Sequence, residues 1–117
     1  MPSTSRKATR PVKRPQVGPD AWRAVQNTAD EAGLSAARVM ETLLRFYAEG
    51  RIPDTALTER SPVRKQTNMP IADHVWEASV QRAKNTGEFP PSVPDRLAVA
   101  LAAERIRFEL SVTATAA

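Results

Sequence analysis

At 117 residues the chain makes one ordinary domain or two very small ones, with room for a modest core. It contains no cysteine, which excludes a disulfide framework, a thiolate nucleophile and a Cys-ligated metal site. The net charge of +4 is unevenly placed: Arg6, Lys7, Arg10, Lys13 and Arg14 lie within residues 1–16, which hold no acid, whereas residues 17–117 carry 12 basic and 13 acidic residues. A basic excess confined to one end favours an anionic partner. The basic N-terminus has no apolar run behind it, and the longest apolar run, residues 97–103, is far too short to span a bilayer. The expectation is a soluble, cytoplasmic protein with no membrane contact.

Residues 1–11 are rich in Ser, Thr, Pro and basic side chains and have almost nothing to bury, so disorder is expected there. Such a tail is either a phosphate-binding arm, through Arg6, Lys7 and Arg10, or a solubilising terminus. Residues 12–17 fit a short strand interrupted by Pro15, in which Lys13 shares a face with Val17. Gly18-Pro19-Asp20 marks a helix start, with proline in the first turn and an acid at the positive end of the dipole. Ala21, Trp22, Val25, Ala29 and Ala32 recur at helical spacing, and Gly33 stops that helix. Ser35 then caps a second helix, whose stripe of Ala36, Val39, Met40, Leu43, Leu44 and Tyr47 ends at Gly50.

Residues 51–62 are polar and broken by proline, and read as a connector with a short helical turn near Leu57. At about 3.3 Å per residue, its extended length of roughly 40 Å would bring a second unit back beside the first. In the segment 64–71, Gln66 and Asn68 alternate with Thr67, Met69 and Ile71, the pattern of a half-buried strand with a hydrogen-bonding outer face. A helix carrying Val75, Trp76, Val80 and Ala83 follows and closes at Gly87. After a proline-rich turn, Ser92-Val93-Pro94-Asp95 starts the final helix, with Ser92 as its expected cap. Val93, Leu97, Ala100 and Leu101 lie on one face and Val99, Ala102, Ala103 and Ile106 on another, which predicts burial on more than one side. Residues 111–117 are small and polar and are expected to fray.

The second half repeats the first. Trp22 precedes Gly33 by the same interval as Trp76 precedes Gly87, Ala21-Trp22 matches Val75-Trp76, Ala29 matches Ala83, and Val25 sits near Val80 in the helical pattern. The predicted fold is mainly α with short β-ribbon strands: a first strand-helix-helix unit over residues 12–50, the connector 51–62, and a second unit over 63–110.

This order resembles the ribbon-helix-helix (Arc/MetJ-like) DNA-binding family, in two degenerate tandem copies. The residues that carry the resemblance are Gln66-Thr67-Asn68-Met69 before Val75-Trp76, Gly87 between the helices, the serines Ser35 and Ser92, and Glu49-Gly50-Arg51-Ile52 at the end of a second helix. Pro11 and Pro15 depart from the family pattern in the first strand. The resemblance implies paired strands forming an antiparallel ribbon that enters the major groove of double-stranded DNA. The pairing is either within one chain, as a pseudo-dimer, or between two chains as a homodimer. It implies base reading by Gln66, Asn68 and Arg64, and backbone contacts from Lys65, Arg6, Lys7, Arg10, Lys13, Arg14 and the helix start at Ser35. Pro90, Pro91 and Pro94 leave fewer free donors at the helix start near Ser92. The function implied is that of a transcriptional repressor, or of a plasmid or phage accessory protein.

Plain readings stand beside these. Gln and Asn on a strand are commonly just solvated. Trp22 and Trp76 are expected as core anchors rather than stacking platforms for bases. His74 has no second His, Cys or carboxylate cluster beside it, which points to a solvated or capping role. No phosphate loop, metal spacing or nucleophile-base set is visible, so no enzyme and no cofactor is expected. The alternative function is a helical protein-interaction adaptor, including an antitoxin, with a solubilising basic tail.

Overall fold

The computed structural model describes residues 10–109. Four helices dominate: α1 (Pro19–Ala32), α2 (Ala36–Ala48), α3 (Asp73–Thr86) and α4 (Val93–Ala102). Four two-residue strands accompany them: β1 (Val12–Lys13), β2 (Gln16–Val17), β3 (Lys65–Gln66) and β4 (Met69–Pro70). Among the described residues there are also two 3-10 turns, Asp54–Ala56 in the connector and Pro90–Ser92 before α4. Among the described residues no helix is long and apolar enough to cross a membrane. Residues 1–9 of the expected tail and the expected frayed end, 111–117, lie outside the described residues, whereas Arg10 and Pro11 of that tail are bonded to the fold through Glu41 and Ile71.

The helix ends follow from local chemistry. Gly18 precedes α1 with Pro19 at its start, where a missing N–H costs nothing. Ser35 caps α2, its hydroxyl accepting the Arg38 N–H at 3.1 Å. Gly33 and Gly87 end α1 and α3 at φ of 70° and 80°, a conformation that strains any residue with a Cβ. Each sends the following amide back into the helix: Leu34 N–H to the Ala29 carbonyl and Glu88 N–H to that of Ala83. Ser92 differs from expectation. It ends the 3-10 turn, makes no capping bond, and its hydroxyl donates to the Phe89 carbonyl and accepts from Arg96. The prolines tighten this approach, so α4 is shorter than α2.

The strands pair within the chain. β1 pairs with β4 and β2 with β3, both antiparallel, as Val12↔Pro70, Lys13↔Met69, Gln16↔Gln66 and Val17↔Lys65. All four pairs obey one register, which sets Arg14 opposite Asn68. The Thr67 N–H reaches the Pro15 carbonyl at 2.8 Å and the Ile71 N–H reaches that of Pro11 at 3.1 Å. Proline lacks the N–H that would answer each bond, and this is why a ribbon of continuous register divides into two short sheets. The proline-interrupted strand of the first unit therefore forms, and Pro15 itself is buried beneath it.

The two halves interlock rather than sit side by side. α2 packs chiefly on α3 and α1 on α4, so each half completes its core with the helices of the other. One continuous core results, containing Val17, Val25, Met40, Leu44, Tyr47, Met69, Ile71 and Leu97. Equivalent positions lie 54 residues apart throughout: Trp22 and Trp76, Gly33 and Gly87, Val39 and Val93, Leu43 and Leu97, Ile52 and Ile106. In this frame Val25 corresponds to Ser79, not to Val80. Ser79 is buried, its hydroxyl bonded to the Trp76 carbonyl, whereas Val80 is half-buried. The last helix is buried on more than one side, as its apolar pattern predicts: Val93, Leu97, Ala98, Ala100 and Leu101 are covered by α1, α2 and β2, and exposure is confined to Ala102 and Ala103 at its end.

Two buried carboxylates tie the halves together at equivalent places. Asp95, on α4, accepts the Gly18 N–H at the start of α1 at 2.9 Å, together with the Ser61 N–H and hydroxyl, both at 2.7 Å. Glu41, on α2, accepts the Ala72 N–H at the start of α3 at 3.3 Å. It also pairs with Arg10 at 3.1 Å and Arg38 at 2.7 Å. Each half thus caps the first helix of the other, satisfying an amide that the helix start leaves open. The connector crosses only the Gly18 side, and a Cβ at Gly18 would lie 2.1 Å from Ser61 Oγ.

Candidate nucleic-acid interface

The ribbon presents one face to solvent. Val12, Arg14 and Gln16 on one strand and Gln66, Asn68 and Pro70 on the other are exposed, while Pro15, Val17, Met69 and Ile71 turn into the core. This alternation is the pleat of a half-buried antiparallel pair. The register places Gln16 beside Gln66 at one end, Arg14 beside Asn68 at the centre, and Val12 beside Pro70 at the other end. At about 3.3 Å per residue, the outward row is roughly 13 Å long, close to four steps of a duplex. It is two strands wide, about 5 Å between backbones, and fits a major groove about 12 Å wide.

The chemistry of this row matches base edges. A carboxamide can both donate and accept toward adenine N6 and N7, and a guanidinium can donate twice toward guanine O6 and N7. Gln66 and Asn68, expected as base-reading residues, stand on this face. Arg14, expected as a backbone contact, stands on the same face, opposite Asn68 and two residues before Gln16 on its strand. Gln16 was not anticipated. Its signal was its parity with Arg14 on a strand ending in the buried Val17, and Pro15 obscured it.

The remaining expected contacts are dispersed. Arg64 precedes β3, and its guanidinium donates to the Ser61 carbonyl, bracing the connector. Lys65 is exposed at the ribbon edge opposite Val17. It borders a groove of about 420 Å³ with Trp22, Arg23, Gln26, Gln66 and Asn68. Lys13 turns inward, its ammonium 2.7 Å from Asp73 and 5.8 Å from the centre of the Trp76 ring. Arg10 is held by Glu41. Arg6 and Lys7 lie outside the described residues. Ser35 is exposed at the start of α2, where the first amides lack helical acceptors. Trp22 and Trp76 are half-buried where the helices meet the ribbon, rather than deep anchors. His74 is exposed in the first turn of α3. Among the described residues there is no group of three or more His, Cys, Asp or Glu side chains able to hold a metal.

Tyr47 is fully buried, and loss of water raises its phenol above the ordinary value, with Glu88 and Asp54 adding to the rise. Its hydroxyl has no bonding partner among the described residues; that of Thr86 turns instead to the carbonyls of Arg82 and Ala83.

In comparisons with known proteins, no family model, curated protein or solved structure matches this chain.

Proposed function

We propose that this chain is a sequence-specific binder of double-stranded DNA. Its ribbon lies in the major groove, and its two strand-helix-helix units act as a pseudo-dimer of the ribbon-helix-helix kind within one chain. The observation that carries this reading is the outward row of Gln16, Gln66, Arg14 and Asn68 on an antiparallel ribbon backed by two interlocked helix pairs. A rigid helical base holds these side chains in a fixed register, which limits the entropy lost on docking. Lys65, with Arg6 and Lys7 of the N-terminal segment, supplies charge toward phosphates, and the open amides behind Ser35 supply a further anchor. Occupancy of an operator or centromere-like site would make the protein a repressor, or an accessory protein of a plasmid or phage.

The test is a gel shift of the full chain on mixed genomic fragments at two salt concentrations, followed by Gln66→Ala and Asn68→Ala on the selected fragment. Selective retardation that weakens with salt is expected. Each substitution should lower affinity for the selected fragment by roughly ten- to a hundredfold, with random DNA little affected. Equal loss on both, or no retardation at low salt, contradicts the reading.

A further inference from the structure

Resting on that reading, we infer that one molecule recognises a duplex segment without dyad symmetry, with Arg14 and Gln16 setting sequence choice alongside Gln66 and Asn68. Arg14 and Asn68 are both register partners and repeat equivalents, since they stand opposite one another and lie 54 residues apart. The local two-fold relating the halves therefore passes between them. A dimer of identical chains would carry the same side chain at both central positions and the same pair at each end. Here the centre joins a guanidinium to a carboxamide. One end carries the two carboxamides of Gln16 and Gln66, and the other carries Val12, 46% exposed, and Pro70.

Each location takes a different partner. The Gln16–Gln66 end offers two donor-acceptor groups side by side, suited to adenine. Arg14 at the centre is suited to guanine, and Asn68 next to it to adenine. The Val12–Pro70 end has no hydrogen-bonding side chain and can contribute only apolar contact, which the thymine methyl supplies in the major groove. Discrimination should be strong from the carboxamide end through the centre and weak at the apolar end.

Selection of the full chain on duplexes with a randomised core too short for two molecules tests this. A recovered motif lacking dyad symmetry is expected, and a palindrome built from either half should bind roughly tenfold or more weakly. Arg14→Ala should relax the central position and Gln16→Ala one end. The triple variant Val12→Gln, Arg14→Asn, Pro70→Gln changes only exposed side chains and gives the outward row two-fold symmetry. It should shift the recovered motif toward a palindrome, with circular dichroism confirming an unchanged fold. A palindromic motif from the native chain, or motifs unmoved by Arg14→Ala and Gln16→Ala, overturns the asymmetry while leaving DNA binding intact. Failure to recover any duplex overturns DNA binding and the asymmetry with it.

Discussion

Glu41 and Asp95 occupy the same place in the two halves, each on the second helix and each buried, yet they are satisfied by different means. Glu41 receives one backbone amide and two arginines, whose side chains are 46% and 31% exposed and carry the countercharge toward water. Asp95 forms no ion pair among the described residues and receives three neutral donors, two of them from Ser61 of the connector. The capping requirement is common to both halves, because the first helix of each begins beneath the other. The connector is not common to both. Where it crosses, a shorter carboxylate suffices because Ser61 comes to it, and Gly18 must lack a side chain to let the connector pass.

The largest test of this difference is removal of each carboxylate. Asp95→Ala strands three buried donors and should cost about 3 kcal/mol or more. Glu41→Ala leaves arginines that can turn to water and should cost nearer 1–2 kcal/mol. Urea denaturation measures both, and equal costs would remove the distinction. Gly18→Ala should destabilise by about 1–3 kcal/mol through its clash with Ser61. Adding Ser61→Gly should recover only part of this, since the Ser61 hydroxyl bond to Asp95 is then lost.

Gly50 and Glu104 form a second unequal pair, at φ of 76° and 60° in equivalent places after the second helices. Glycine adopts this region freely, whereas Glu104 bears a steric cost, so Glu104→Gly should raise stability by roughly 1 kcal/mol. A fall in thermal midpoint would show that the Glu104 side chain contributes more than its backbone costs.

The smallest effect near neutral pH is expected at Tyr47, whose repeat equivalent is Leu101. Tyr47→Phe removes a buried hydroxyl with no partner among the described residues, and should change stability by less than about 1 kcal/mol, toward a gain. The pH dependence has a definite sign. The folded phenol titrates above the ordinary value of 10.0, so on raising the pH the unfolded chain loses its proton first. The stability associated with the neutral phenol is present below about pH 10 and is lost as pH climbs toward the folded value. Alkaline denaturation followed with and without Tyr47→Phe should show a shallower loss in the variant.

Much of the helical frame was readable from the residues. The apolar spacing of α1 and α2 named the buried Val25, Ala29, Val39, Leu43 and Tyr47, and Ser35, Gly33 and Gly87 marked helix boundaries correctly. The parity of Gln66 and Asn68 against Met69 and Ile71 placed the outward face of one strand. The opposite strand was harder to read because Pro15 is a poor strand residue when judged alone. Paired with Thr67, it gives up only the one bond that proline cannot make. Ser79 and Glu41 were hidden for a related reason: a polar residue on a helix reads as surface until its partner is known.

The sequence by itself determined the helices, their ends apart from the start of α4, and the alternation of the second strand, because these depend on residues a few positions apart. Tertiary structure decided which strands pair, in what register, and how each half caps the other. The Gly18–Asp95 bond spans 77 positions and the Ala72–Glu41 bond spans 31. At such separations no local period or capping preference can specify the contact. It arises only when the interlocked helices bury both carboxylates beside the amides that need them.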